Sequence, residues 1–186
     1  MKHKGTITLN TERLKLRRIY ETDAQEMFDN YANDERVTKF LSWTPHGNVE
    51  NTKALLSSWM SNYERLDFYH WAIIYKDNFV GSISCIDIDE KNEHCELGYC
   101  IAYDYWGKGI TAEALNAIIK FLFNEVLIHR IMAKHDTENP NSGIVMQKCG
   151  MKYEGTMKDY YKRDDGTFGD SKIYGLLKSE RKEVVT

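Results

Sequence analysis

Residues 105–115, YWGKGITAEAL, place two glycines around a lysine and lead straight into a helix-forming run. Glycine lets a backbone approach a ligand closely and adopt left-handed conformations, and the first N–H groups of a helix lack partners within it. Together these features suit an anion, because free N–H groups aim at it and the helix dipole favours it. Two nucleotide-binding patterns are excluded. The longer spacing and Lys-Ser/Thr ending of the hydrolase phosphate loop are missing, and so is the G-x-G-x-x-G of dinucleotide folds. Residues alone leave a second option open, a tight turn that binds nothing. Cys85, Cys95, Cys100 and Cys149 lack zinc-type spacing, so no metal is expected.

The chain of 186 residues, 42% hydrophobic and 28% charged, reads as one ordinary soluble domain over 1–186. A net charge of -3 gives little reason to expect a nucleic-acid partner. No charged-then-apolar leader opens it, and no run is long and apolar enough to span a bilayer. Neither nucleic-acid nor membrane partners are expected, and a cytoplasmic setting with reduced thiols fits. A homodimer is compatible with a chain of this size.

The elements that must hold the glycine loop follow from period and punctuation. Alternation in TERLKLRRI (11–19) puts Leu14, Leu16 and Arg18 on one face of a first strand. Over 21–34, Thr22 is placed to cap a helix and Gln25 completes a capping-box spacing. The loop SWTPHGN precedes a second helix over about 49–63, with Leu55, Leu56, Trp59 and Met60 on its apolar side. Strands over 68–75 and 79–88 flank the turn KDN, and HCELGYCIA (94–102) is another strand. A helix over 111–123, a strand over 129–136 and a short helix closed by Gly150 come next. The tail reads as a hairpin around RDDG (163–166). The order β-α-α-β-β-β-α-β-α-β-β predicts an α/β chain of the α+β type, a mixed sheet with helices on its faces.

ELGYCIAYDYWGKGITAEAL (96–115) followed by ENPNSGIVMQKCGMKYEGTM (138–157) resembles the acetyl-CoA core of the GNAT superfamily of N-acetyltransferases. The likeness runs from LRRIYETDA (16–24) to KIYGLLKSE (172–180), with the core motifs over about 93–155. It is nearest the Rim-type branch, which acetylates N-terminal amines of ribosomal proteins. The resemblance implies a single-domain acyl-CoA N-acyltransferase fold, its mostly antiparallel sheet splayed at the acetyl-CoA site, and acetyl-CoA as cosubstrate with no metal.

It also implies site residues. The pyrophosphate loop falls on the N–H groups of Gly107, Lys108, Gly109, Ile110 and Thr111. The Lys108 side chain either assists electrostatically or is solvated. Relatives often carry Gln or Arg three residues before the first glycine, where this chain has Asp104. Cys100, Ile101 and Ala102 map to the strand edge that pairs with the pantetheine arm, with Cys100 as a strand residue and not a nucleophile. Asn139 and Ser142 map to the cofactor side, and Ser142 is the candidate proton donor to the leaving thiolate. Where many relatives place a tyrosine, this chain has Val145 and Met146. Glu96 is the candidate base, acting through water, ahead of Glu93 and Glu113. Strand alternation groups Glu96 with Gly98 and Cys100 on one face. An N-terminal amine titrates near ~8 and a lysine near ~10.4, so a relayed carboxylate suits the former better. Trp43, Tyr160 and Tyr161 are candidate acceptor-binding residues.

Three readings follow. The first is acetyl transfer to a protein N-terminal amine, Ser or Ala, in a ternary complex. The second is acetylation of a small amine such as a polyamine, an aminoglycoside or an amino-sugar nucleotide, to which the acidic run DIDEKNEH (87–94) would answer. The third is a silent acetyl-CoA-binding module, which Asp104 and Met146 would allow.

Overall fold

Turn chemistry sets where the strands begin and end. Lys76 and Asp77 both take positive φ, 50° and 65°, in a tight two-residue turn whose twist matches that of the strands it joins. They close a hairpin between β3 (His70–Tyr75) and β4 (Asn78–Asp89). The computed structural model describes residues 1–163 and 166–181, so two residues of the expected RDDG turn, Asp164 and Asp165, lie outside the described residues. The remaining strands are β1 (Leu9–Asn10), β2 (Leu14–Arg17), β5 (His94–Ile101), β6 (Arg130–Asp136), β7 (Lys152–Lys162) and β8 (Phe168–Leu177). They form one sheet in the order β1-β2-β3-β4-β5-β6-β8-β7. Every neighbouring pair is antiparallel except β5 and β6.

Those two parallel strands need a crossover, and α4 (Ile110–Phe121), extended through Leu122–Val126, supplies it. Its Ala114, Leu115, Ile118 and Ile119 bury against Val80, Leu97, Ile131 and Ala133 to make the larger core. α5 (Pro140–Lys148) adds Met146 to the same core. On the opposite face, α1 (Ala24–Met27, continued by Phe28–Ala32) and α3 (Val49–Met60) bring Met27, Tyr31 and Leu56 onto Ala72, Ile74 and Phe79. Further along that second face lie Lys134, Glu154 and Tyr160, with Glu154 and Tyr160 exposed.

The departures from the sequence reading are local. A short helix α2 (Glu35–Thr38) and the two-residue β1 had no periodic signal strong enough to mark them. Thr22 does not cap α1. The Asp23 carboxylate accepts from the Tyr20 N–H at 2.7 Å and from both Arg17 terminal nitrogens at 2.7 and 2.8 Å. The Gln25 amide instead turns to Asp29 at 3.0 Å. α3 ends at Met60, and one tighter turn, Ser61–Glu64, carries the chain through Tyr63.

His70 makes the fold acid-sensitive. Its ring is buried at 7% exposure against Trp59, centroids 4.2 Å apart, and burial pushes its pKa down to about 4. The unfolded chain takes up this proton near ~6.5. The stability due to neutral His70 is therefore complete above that pH and lost as pH falls through about 4, for a total of about 3 kcal/mol. Urea unfolding of wild type and His70→Phe should diverge by that amount between pH 7.5 and 4. A difference that stays constant across the range would contradict the assignment.

Candidate active site

The chain leaves β5 through a single turn, Tyr103–Tyr105, and reaches Gly107 at φ 73° and Gly109 at φ 76°, the residue that caps α4. The first helical N–H to find an acceptor is that of Glu113, on the Gly109 carbonyl at 3.1 Å. Among the described residues, the N–H groups of Gly107, Lys108, Gly109, Ile110 and Thr111 have no acceptor. Two left-handed glycines and a run of unpaired donors at a twelve-residue helix form an anion-binding concavity, which fits a pyrophosphate. Lys108 is exposed, its ammonium 5.1 Å from the Tyr105 ring centre. Asp104 is exposed and lies near enough to Arg36 to act on that guanidinium's charge.

Arg13, which no local pattern marks, braces this loop. Its Nε donates to Glu113 Oε2 at 2.6 Å and its Nη1 to the Lys108 carbonyl at 3.2 Å. Glu113 also accepts from the Arg13 N–H at 2.9 Å and the Thr11 hydroxyl at 2.5 Å. Burial works against the Glu113 charge, but these bonds outweigh it and hold the carboxyl below its ordinary range. Glu113 is thus a strap and not a free base. Glu93, the other alternative, sits in the turn before β5, at the end of that strand away from the loop.

β5 and β6 pair only from His94↔Arg130 to Leu97↔Ala133. Beyond that point Gly98 to Ile101 pair with β4 alone and Lys134 to Asp136 with β8 alone, so the two strands part. The Ala102 N–H donates to the Val80 carbonyl at 2.8 Å, which turns the Ile101 carbonyl of the same peptide toward the gap. The Trp106 indole meets that carbonyl at 2.9 Å. Alternation gives the gap the N–H groups of Ile101 and Tyr99, while those of Cys100 and Ala102 face β4. The Cys100 thiol lies 3.5 Å from the Ser82 hydroxyl, and burial pushes it above its ordinary range, away from the nucleophilic thiolate.

Gly81 lets β4 press against this strand. A Cβ there would lie 2.4 Å from the Cys100 carbonyl oxygen. Gly81→Ala must displace β5 at the gap, at an expected cost of about 1–3 kcal/mol. Thermal unfolding should show the loss and calorimetry a weaker grip on acetyl-CoA. An unchanged Tm would mean that the strands yield freely.

Asn139 and Ser142 open α5 on the far side of the gap. The Asn139 amide donates to Ser142 Oγ at 3.3 Å, and the Tyr99 hydroxyl donates to the Ser142 carbonyl at 3.0 Å. Burial raises the Tyr99 phenol well above its ordinary range, so it stays a neutral donor. Met146 is buried and Val145 half-buried, and tyrosines reach α5 from the sheet instead, Tyr99 from β5 at Ser142 and Tyr174 from β8 beside Gly143.

On the other face of β5, Glu96 and Cys100 share a side as alternation requires. Lys134 Nζ donates to Glu96 Oε2 at 2.8 Å and to the Tyr160 hydroxyl at 3.0 Å. Glu96 Oε1 is buried without a partner among the described residues. Burial works against the Lys134 charge, but the bonds to Glu96 and Tyr160 outweigh it and hold the ammonium above the usual lysine range. Tyr160 is thereby joined to Glu96 through a residue that sequence reading did not single out. Tyr161 lies over Gly169 with its hydroxyl buried. Trp43, half-buried in the α2–α3 loop, lies tilted against His46 with ring centroids 5.0 Å apart and packs on the same smaller core as Cys100.

An N–H-lined loop at a helix start beside a parted strand pair defines a site for an extended ligand that carries phosphates. Residues 13–152 match the family model described as Acetyltransferase (GNAT) domain. Uncharacterized N-acetyltransferase p20 of Bacillus licheniformis is 33% identical over 93% of this chain and 97% of its own length. The [ribosomal protein uS5]-alanine N-acetyltransferase of Escherichia coli (strain K12) is 29% identical over 83% of this chain and 82% of its own. The fold is shared by the ribosomal L7/L12 alpha-N-protein acetyltransferase solved in complex with coenzyme A, with a TM-score of 0.83 at 20% identity over 92% of this chain and 98% of that one. The chain belongs to the GNAT family of acetyltransferases. Acetyl-CoA is the acetyl donor of this enzyme and contributes a thioester carbonyl open to attack by an amine. Among the described residues, no cluster of three His, Cys, Asp or Glu side chains is placed to hold a metal, and no helix is long and apolar enough to cross a membrane.

Proposed function

We propose that this acetyltransferase acts on the N-terminal amine of a protein, initiated by Ser or Ala, such as a ribosomal protein, and that it works in the cytoplasm. Glu96 carries the reading. It stands at the point where β5 and β6 part, on the sheet face where Ile86 is 64% exposed and Tyr160 44%. The similarity to the uS5-alanine N-acetyltransferase over most of both chains supports it.

In this reading the N–H groups of residues 107–111 hold the pyrophosphate. The gap-facing groups of Tyr99 and Ile101 hold the pantetheine arm, with Asn139 beside it. Glu96 accepts the acceptor's proton through water, and Ser142 gives one to the leaving thiolate. Trp43, Tyr160 and Tyr161 flank the acceptor.

A small polycationic amine is the second reading. Asp87 stands directly across from Glu96 in the β4–β5 register, so two carboxylates share one face there. Mass spectrometry of products from a mixed panel of Ser- and Ala-initiated peptides and small amines decides between them. Turnover of the peptides supports the first reading; exclusive turnover of a polyamine or aminoglycoside replaces it with the second.

A further inference from the structure

The open face carries a row of side chains that crosses four strands. Glu96 on β5 and Tyr160 on β7 are joined through Lys134 on β6, which reaches over β8 to do so. Lys134 is the first β6 residue beyond the last β5–β6 pair, Leu97↔Ala133. Its bond to Glu96 is thus a side-chain strap across the strands where their backbone pairing stops. Both flanks of the row are irregular. An extra residue, Ile86, disrupts β4 beside Glu96, and β7 loses register between Met157 and Tyr161, with Asp159 at φ 49°. Bulges of this kind re-aim side chains and gather near functional sites.

Among the described residues, the charged and titratable groups on this face near Glu96 include Asp87 on β4, His94 and Cys100 on β5, Arg130 and Lys134 on β6, and Glu154 and Tyr160 on β7. Lys134 Nζ also lies 5.0 Å from the centre of the Tyr160 ring, a second attraction that holds the ammonium in place.

We infer that Lys134 is the positioning residue for the Glu96 carboxylate: held between Glu96 and Tyr160, its ammonium fixes that carboxylate at the fork of the sheet. The inference rests on the proposed role of Glu96 as base.

The test uses the full chain with Lys134→Met, Lys134→Arg and Glu96→Gln. NMR of ¹³C-labelled glutamate carboxyls at fixed pH needs no acceptor, and the signal missing from Glu96→Gln identifies Glu96. Lys134→Met should move that signal, because the carboxyl loses the ammonium bonded to its Oε2. Lys134→Arg should keep it near the wild-type position. With whichever amine the product panel identifies, Lys134→Met should lower kcat by about 10- to 100-fold and Lys134→Arg should restore most of it, with acetyl-CoA Kd within about two-fold of wild type. A Glu96 signal unmoved by Lys134→Met overturns the inference, as does an undiminished kcat. Full activity in Glu96→Gln would instead sink the role of Glu96 as base, whatever the NMR shows.

Discussion

Gly109→Val should weaken acetyl-CoA binding by about 10- to 100-fold in a chain that still folds. Gly109 holds φ 76° at the first turn of α4, a conformation that a β-branched residue adopts only under strain. The obstacle is conformational, since a Cβ would find its nearest neighbour, Arg13 Nη2, at an ordinary 3.6 Å. Relaxing that strain, about 1–3 kcal/mol, turns the N–H groups of residues 107–111 away from their common target, and the same energy sets the expected loss of affinity. Gly47→Val is the control, because Gly47 has φ 73° with open space around it, in the α2–α3 loop. It should cost stability without changing the affinity for the donor. Calorimetry with acetyl-CoA and CoA reads both variants. An unchanged Kd for Gly109→Val would remove the loop from donor binding.

Glu96→Gln should lower kcat/KM at neutral pH by about 10²- to 10⁴-fold, the usual range for a positioned proton acceptor. The sign of its pH dependence follows from the acceptor. An N-terminal amine is mostly protonated below ~8, so the need for a base is greatest there and fades above it. The deficit should therefore shrink as pH rises from about 6 to 9.5. A deficit that stays flat would assign Glu96 to orientation of the acceptor. Ser142→Ala in the same series should lower kcat and spare donor affinity, because the N–H groups of the loop carry the anchoring. Wild-type kcat in that variant would leave water as the proton donor.

The elements at the site follow local rules, and local rules were legible. The glycines of residues 105–115 announced a left-handed turn before a helix, and Gly107 and Gly109 take that conformation at 73° and 76°. Alternation along β5 placed Glu96 and Cys100 on one face and Leu97 and Ile101 on the other. The hairpin at KDN and the crossover helix had their signals within a few residues. The entry to α1 was less legible, because the carboxylate there, Asp23, bonds back to the Tyr20 N–H and pairs with Arg17 on β2, and a capping-box spacing cannot register that partner.

What the sequence determined by itself is the glycine loop, the order of the longer elements and the face of Glu96, because each depends on dihedral preference or side-chain period within one segment. Tertiary structure alone decided what meets these residues. Arg13 finds Glu113 across 100 positions, Tyr99 finds Ser142 across 43, and Lys134 finds Glu96 across 38. Sheet order and register fix those meetings. A single bulge in β4 or β7 changes which side chain arrives, and neither period nor propensity within one segment carries that information.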